Sequence, residues 1–82
     1  MPRYFFHIKE TDATSKDEEG RELPDDATAR RQAAEAAREL AAQAVLEGEL
    51  INGQCIEVTD GAGKHVTTAM LRDAVLLALR QR

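Results

Sequence analysis

Pro2-Arg3-Tyr4-Phe5-Phe6-His7-Ile8 holds every Tyr and Phe of the chain. Tyr4, Phe6 and Ile8 alternate with Phe5, His7 and Lys9, the period of a strand with one wholly apolar face. Aromatic and β-branched side chains fit a half-buried pleated surface, so the run predicts the strand around which the core is built. Phe5 adds a ring to the second face.

The stretch from Glu10 to Gly20 has no periodicity and is rich in Asp, Ser, Thr and Gly, which predicts a loop. Arg21-Glu22-Leu23 predicts a short second strand returning antiparallel to the first. Pro24 ends it, because proline has no donor for the ladder. Asp25 or Asp26 then caps a helix over Ala27–Glu47, where Ala, Arg, Gln, Glu and Leu dominate. One stripe of it runs Ala29, Ala33, Ala36, Leu40, Ala44, with Ala37 and Ala41 beside it. Arg31, Glu35, Arg38 and Glu39 occupy the opposite face. Gly48 suits a left-handed C-terminal cap. An alanine stripe lets the helix approach its partner surface closely, so the aromatic strand must supply the bulk.

Asn52-Gly53 is a turn signal. Cys55-Ile56-Glu57-Val58-Thr59 predicts a strand with Ile56 and Val58 on one face. Asp60-Gly61-Ala62-Gly63-Lys64 has the length and composition of a hairpin loop. A return strand follows from His65 to Thr68 or Met70, with Val66 and Met70 inward. In the tail from Leu71 to Leu79, Leu71, Val75, Ala78 and Leu79 share a helical face, and Leu76 and Leu77 widen it. The predicted fold class is α+β with topology ββαββ plus a short C-terminal helix. Its four-stranded antiparallel sheet has order 2-1-3-4, with the long Ala-rich helix across one face.

A length of 82 residues predicts a single domain over 1–82, and we read the chain as complete. Of its 35 hydrophobic residues 14 are alanine, so only 21 bring a larger apolar side chain. Burial is worth roughly 25 cal/mol per Å², and a domain this small hides only about 60–65% of its unfolded surface. Stability should be thin, and a second copy could supply the missing burial; a homodimer is the expected state. The single Cys55 excludes an intrachain disulfide. No apolar run approaches the ~20 residues needed to cross a bilayer. No signal peptide opens the chain, so we expect a cytoplasmic location and no membrane partner.

Several constellations invite chemistry. Glu10 to Asp26 holds eight acids and two bases. Clustered carboxylates suit Ca²⁺ or Mg²⁺, making Asp17, Glu18 and Glu19 candidate ligands. Their spacing does not match an EF-hand loop, and a solvated acidic loop is the plainer expectation. His7, Cys55 and His65 are of types that bind zinc, and period two places all three on the sheet face opposite the helix. No CxxC or HxxxH spacing accompanies them. Two half-exposed histidines and a buried thiol are the competing expectation. The primary expectation is therefore no metal and no cofactor. Cys55 lies near no predicted helix N-terminus and Gly61-Ala62-Gly63 is a hairpin bend, so we expect no enzyme. Net charge is −4, which repels phosphate backbones at long range. Glu35 and Glu39 interrupt Arg30, Arg31 and Arg38, so we do not expect nucleic acid as a partner.

Pro2-Arg3-Tyr4-Phe5-Phe6-His7 resembles the opening of a family of small bacterial proteins of unknown function. The likeness runs on through Asp17-Glu18-Glu19-Gly20, Glu22-Leu23-Pro24-Asp25, Ile56-Glu57-Val58-Thr59-Asp60 and Arg72-Asp73-Ala74. The resemblance implies the fold boundaries and no activity. Val75 to Leu79 is an extension beyond the family's pattern. The layout of strand, acidic turn, second strand and Leu-Pro-Asp before an Ala-rich helix is also similar to the HicB-type antitoxin domain.

We expect a noncatalytic interaction module that self-associates, using Phe5, exposed on the open sheet face, with Leu76, Leu77 and Leu79 of the tail. An unidentified protein is a possible further partner. The alternative is an antitoxin-like or regulatory protein that binds a partner protein or DNA; a metal-binding protein is a weaker one.

Overall fold

β1 (Arg3–Lys9) lies inside the sheet of the computed structural model, which describes residues 1–80, with side chains through Leu76. It pairs antiparallel with β4 (Cys55–Asp60) from Tyr4 opposite Asp60 to Lys9 opposite Cys55. β4 pairs in turn with β5 (His65–Met70), the far edge. The opposite side of β1 is shared by two short strands. β2 (Thr14–Ser15) covers Ile8 and Lys9, and β3 (Arg21–Glu22) covers Arg3 and Tyr4. The expected order therefore holds with one addition, since the acidic loop contributes β2. The Glu10 amide donates to the Ala13 carbonyl at 2.8 Å and closes the turn that makes β2 possible.

α1 (Asp26–Leu46) crosses one sheet face. Asp25 is its cap, accepting from the Thr28 amide at 2.8 Å and the Thr28 hydroxyl at 2.7 Å. Gly48, at φ +73°, ends the helix; its amide reaches Val45 O and the Glu49 amide reaches Ala44 O. That pair of bonds satisfies carbonyls the last turn would leave open. The buried stripe is Ala29, Ala33, Ala37, Ala41, Ala44, rotated slightly from the expected one, with Ala36 and Leu40 half-buried.

Tyr4, Phe6, Ile56 and Val58 meet this stripe, joined by Leu23 and by Leu71 and Ala74 of α2 (Leu71–Arg80). Ile56 and Val58 are the largest side chains buried outright. Arg21 closes the β1 side of the core: its guanidinium lies 4.3 Å from the Phe6 ring centroid and donates to Gln32 Oε1 at 2.9 Å.

A bulge corrects one expectation. The β4–β5 register shifts between Val58 and Thr59, so Val58 faces Thr67 and Ile56 faces Ala69. Val66 and Ala69 pack on the core, while Met70 sits opposite Cys55 on the other face. One extra residue reverses every later position, which simple alternation from Val66 cannot anticipate.

Candidate functional site

His7, Cys55 and His65 do share the face away from α1, but the register separates them. His7 lies opposite Glu57, Cys55 opposite Lys9, and His65 opposite Thr59. Cys55 and His65 are thus four β4 positions apart, about 13 Å at ~3.3 Å per residue. Each histidine has other work. His65 Nε2 lies 2.8 Å from Thr68 Oγ1. His7 Nδ1 accepts from the Asp17 amide at 3.0 Å, and its Nε2 lies 3.1 Å from Thr59 Oγ1. Because Nδ1 accepts, the ring proton belongs on Nε2 and is donated to Thr59. Among the described residues no three His, Cys, Asp or Glu side chains are grouped to hold a metal ion.

The acidic candidates part company too. Glu18 and Glu19 are exposed, while Asp17 turns inward onto β1. Its Oδ2 accepts from the Phe6 amide at 3.0 Å, and its Oδ1 accepts from the amides of Glu19 at 3.2 Å and Gly20 at 3.0 Å. Partial burial pushes the Asp17 carboxyl up. The three amides, with His7 nearby, outweigh this and hold it below its ordinary value of 3.8. Asp17 therefore occupies the stretch of β1 edge that β2 and β3 leave open. It serves as a latch for the loop.

Phe5, expected to be exposed, is half-buried. Gly20 lies against it: a Cβ at Gly20 would sit 2.9 Å from the Phe5 ring and 2.8 Å from Tyr4 O. Beside it on this face lie the polar pairs His7–Thr59, His65–Thr68 and Lys9–Glu57 at 3.2 Å, with Cys55 and Met70 opposite each other at one end. The face offers no broad apolar surface.

The apolar surface is elsewhere. Leu76 is 57% exposed, whereas Leu77 and Leu79 lie outside the residues whose side chains are described. Val45, Leu46 and Leu50 are exposed by 60%, 82% and 80%. Sequence reasoning missed these three. Their signal was the replacement of alanine by Val45-Leu46 in the last turn of the helix, off the buried stripe.

A second feature is a cleft of about 230 Å³ between α1, β5 and the first turn of α2. Arg30, Ala34 and Arg38 form its α1 wall, Thr67 and Thr68 its β5 wall, and Asp73 stands at the α2 end. Among the described residues neither arginine has an ion-pair or side-chain hydrogen-bond partner. At 100° per residue, Arg30, Ala34 and Arg38 fall on one flank of α1, while Glu35 and Glu39 fall beyond it toward solvent.

A family model, described as domain of unknown function (DUF6894), matches residues 3–72. The chain belongs to this family. The DUF6894 match takes in all five strands and α1 and stops two residues into α2. Asp17, Gly20 and the arginine-lined cleft wall of α1 fall within DUF6894, and Leu76 falls outside it. Comparison with curated proteins and with solved structures finds no match.

Proposed function

We propose that this DUF6894 domain is a noncatalytic interaction module that self-associates through the apolar side chains at the C-terminal end of α1 and on α2. The supporting observation is the placement of Val45, Leu46, Leu50 and Leu76 in solvent on a domain whose largest fully buried side chains are Ile56 and Val58. More large aliphatic surface lies outside than such a core can spare, and large apolar side chains left in solvent mark a candidate interaction surface. A second copy is the partner that a thin core calls for. The noncatalytic reading draws support from where reactive groups are placed. Both His7 ring nitrogens are engaged, one by the Asp17 amide of the loop and one by Thr59 of β4, and Cys55 is buried. Phe5 is better read as part of the fold than as an interface residue.

Sedimentation velocity tests the reading. The wild-type chain should sediment as a dimer at tens of micromolar (an order-of-magnitude expectation for a standard-sized interface). Leu46→Glu with Leu50→Glu should sediment as a folded monomer. A wild-type chain that stays monomeric to millimolar concentration would sink the proposal.

A further inference from the structure

The two edges of the sheet are treated very differently. Along β1 every stretch is occupied, by β2, by β3 and by the Asp17 carboxylate on the Phe6 amide. Among the described residues, β5 has β4 on one side and no strand on the other. The Leu71 amide donates to Gln54 O, which marks those two residues as a hydrogen-bonded pair. By antiparallel alternation Ala69 and Thr67 also point their backbone groups at β4, so Thr68 and Met70 point theirs outward. His65–Met70 contains no Lys, no acid and no proline; its one guard is the bulge at Val66, and Thr67–Met70 beyond it run in regular register.

The cleft runs beside that edge, and its α1 wall is basic. Arg30 and Arg38 are eight residues apart, which is about 12 Å along a helix. Two side chains four residues apart on an extended strand project from the same face about 13 Å apart. A strand laid on β5 would therefore present positions i and i+4 at a spacing close to that of Arg30 and Arg38 along the α1 backbone. Ala34 between them leaves room for whatever lies at i+2.

We propose that the β5 edge binds an extended acidic peptide segment as an added strand, with carboxylates at i and i+4 paired to Arg30 and Arg38. Main-chain bonds to Thr68 and Met70 supply affinity, and the arginines supply selectivity and register. Charge also chooses between this partner and a second copy. Two-fold pairing of β5 with its own copy keeps both α1 helices on one face and brings the two basic flanks together across the seam. Like charges there disfavour self-pairing, whereas an acidic segment is attracted. Asp73 stands at the Met70 end of the cleft, so the acidic positions of the peptide fall on the Arg30 side of it. This surface is separate from the apolar one argued above, and neither proposal depends on the other.

The test is titration of the full chain at low ionic strength with a labelled peptide of alternating Thr and Val carrying Glu at i and i+4. Binding should saturate, move the amide resonances of Thr68 and Met70, and weaken as salt rises. Arg30→Glu with Arg38→Glu should lower affinity at least tenfold; both side chains are exposed, so the fold should survive. Thr68→Pro should abolish binding by removing an outward amide. Equal binding of the peptide with Lys at both positions would overturn the proposal. So would shifts confined to Leu46 and Leu50, no binding at millimolar peptide, or Thr68 amide protection in peptide-free protein through pairing of two copies.

Discussion

Asp17 holds amides from both sides of the loop it closes, and its charge is what makes it a good acceptor. With the folded-state pKa below the unfolded value near 3.8, ionised Asp17 favours the folded state. Its contribution is fully present above about pH 4 and disappears as pH falls through the lowered value. Urea midpoints measured from pH 6 down to pH 2 should drop, and Asp17→Asn should flatten part of that drop. Tyr4 has the opposite sign. The bond its hydroxyl donates to Asp26 at 2.7 Å comes first, then burial, then the charges of Asp26, Asp25 and Asp60; together they push the phenol from 10.0 up to about 12. That contribution is present below about pH 10 and is lost as pH rises through 12. Because Tyr4 is the only tyrosine, a tyrosinate absorbance titration reads it directly. Gly20 answers to backbone geometry. At φ +70°, with Tyr4 O and the Phe5 ring crowding its missing Cβ, Gly20→Ala should cost about 1–3 kcal/mol in urea unfolding. Gly48→Ala, at φ +73° in open space, should cost less. The Gly48 cap was legible, because it ends a helical run; the roles of Asp17, Tyr4 and Gly20 were not legible from neighbouring residues. Asp17 reads as one acid in a run of three until β1 is placed beside it.

Periodic elements were legible because their signals are local. β1, α1, the β4–β5 hairpin and α2 each declare themselves by spacing and by a cap or turn. The details that escaped depend on a partner element. β2 exists because the edge of β1 is there to receive it, and the bulge at Val58/Thr59 reverses the faces of β5. The alanine stripe shows the same limit at a finer grain. Alanines surround much of α1, so composition could not fix which of them face inward, and the sheet selected Ala37 and Ala41 over Ala36 and Leu40. Ala37 is 1% exposed against the sheet, so Ala37→Leu forces the helix off β4 and β5 and should cost about 1–3 kcal/mol. Ala42, exposed on the same helix, should accept leucine with little change in the thermal midpoint. Equal losses at the two positions would mean that the stripe does not set the helix–sheet distance. The exposed trio of Val45, Leu46 and Leu50 stayed hidden for a related reason: an apolar residue in a sequence reads as core until the fold shows what it faces.

At the scale of the molecule, a sheet covered on one face by alanine has closed one edge, left the other open, and kept large aliphatic groups at the end of α1. A chain built this way should gain stability from its own concentration. If folding and pairing are coupled, unfolding releases two chains, and the midpoint rises with the logarithm of concentration. Taking about 0.7 kcal/mol of unfolding enthalpy per residue over two chains, a tenfold rise should lift the midpoint by about 4 °C. Leu46→Glu with Leu50→Glu removes apolar surface that the monomer never buries, so the variant should unfold at a midpoint independent of concentration and close to the dilute wild-type value. Arg30→Glu with Arg38→Glu should leave the concentration dependence untouched, because those side chains line the cleft beside β5. Calorimetry over two decades of concentration separates the surfaces. A slope lost in the leucine pair and kept in the arginine pair assigns self-association to the end of α1, whereas a slope kept in the leucine pair removes that surface as its site.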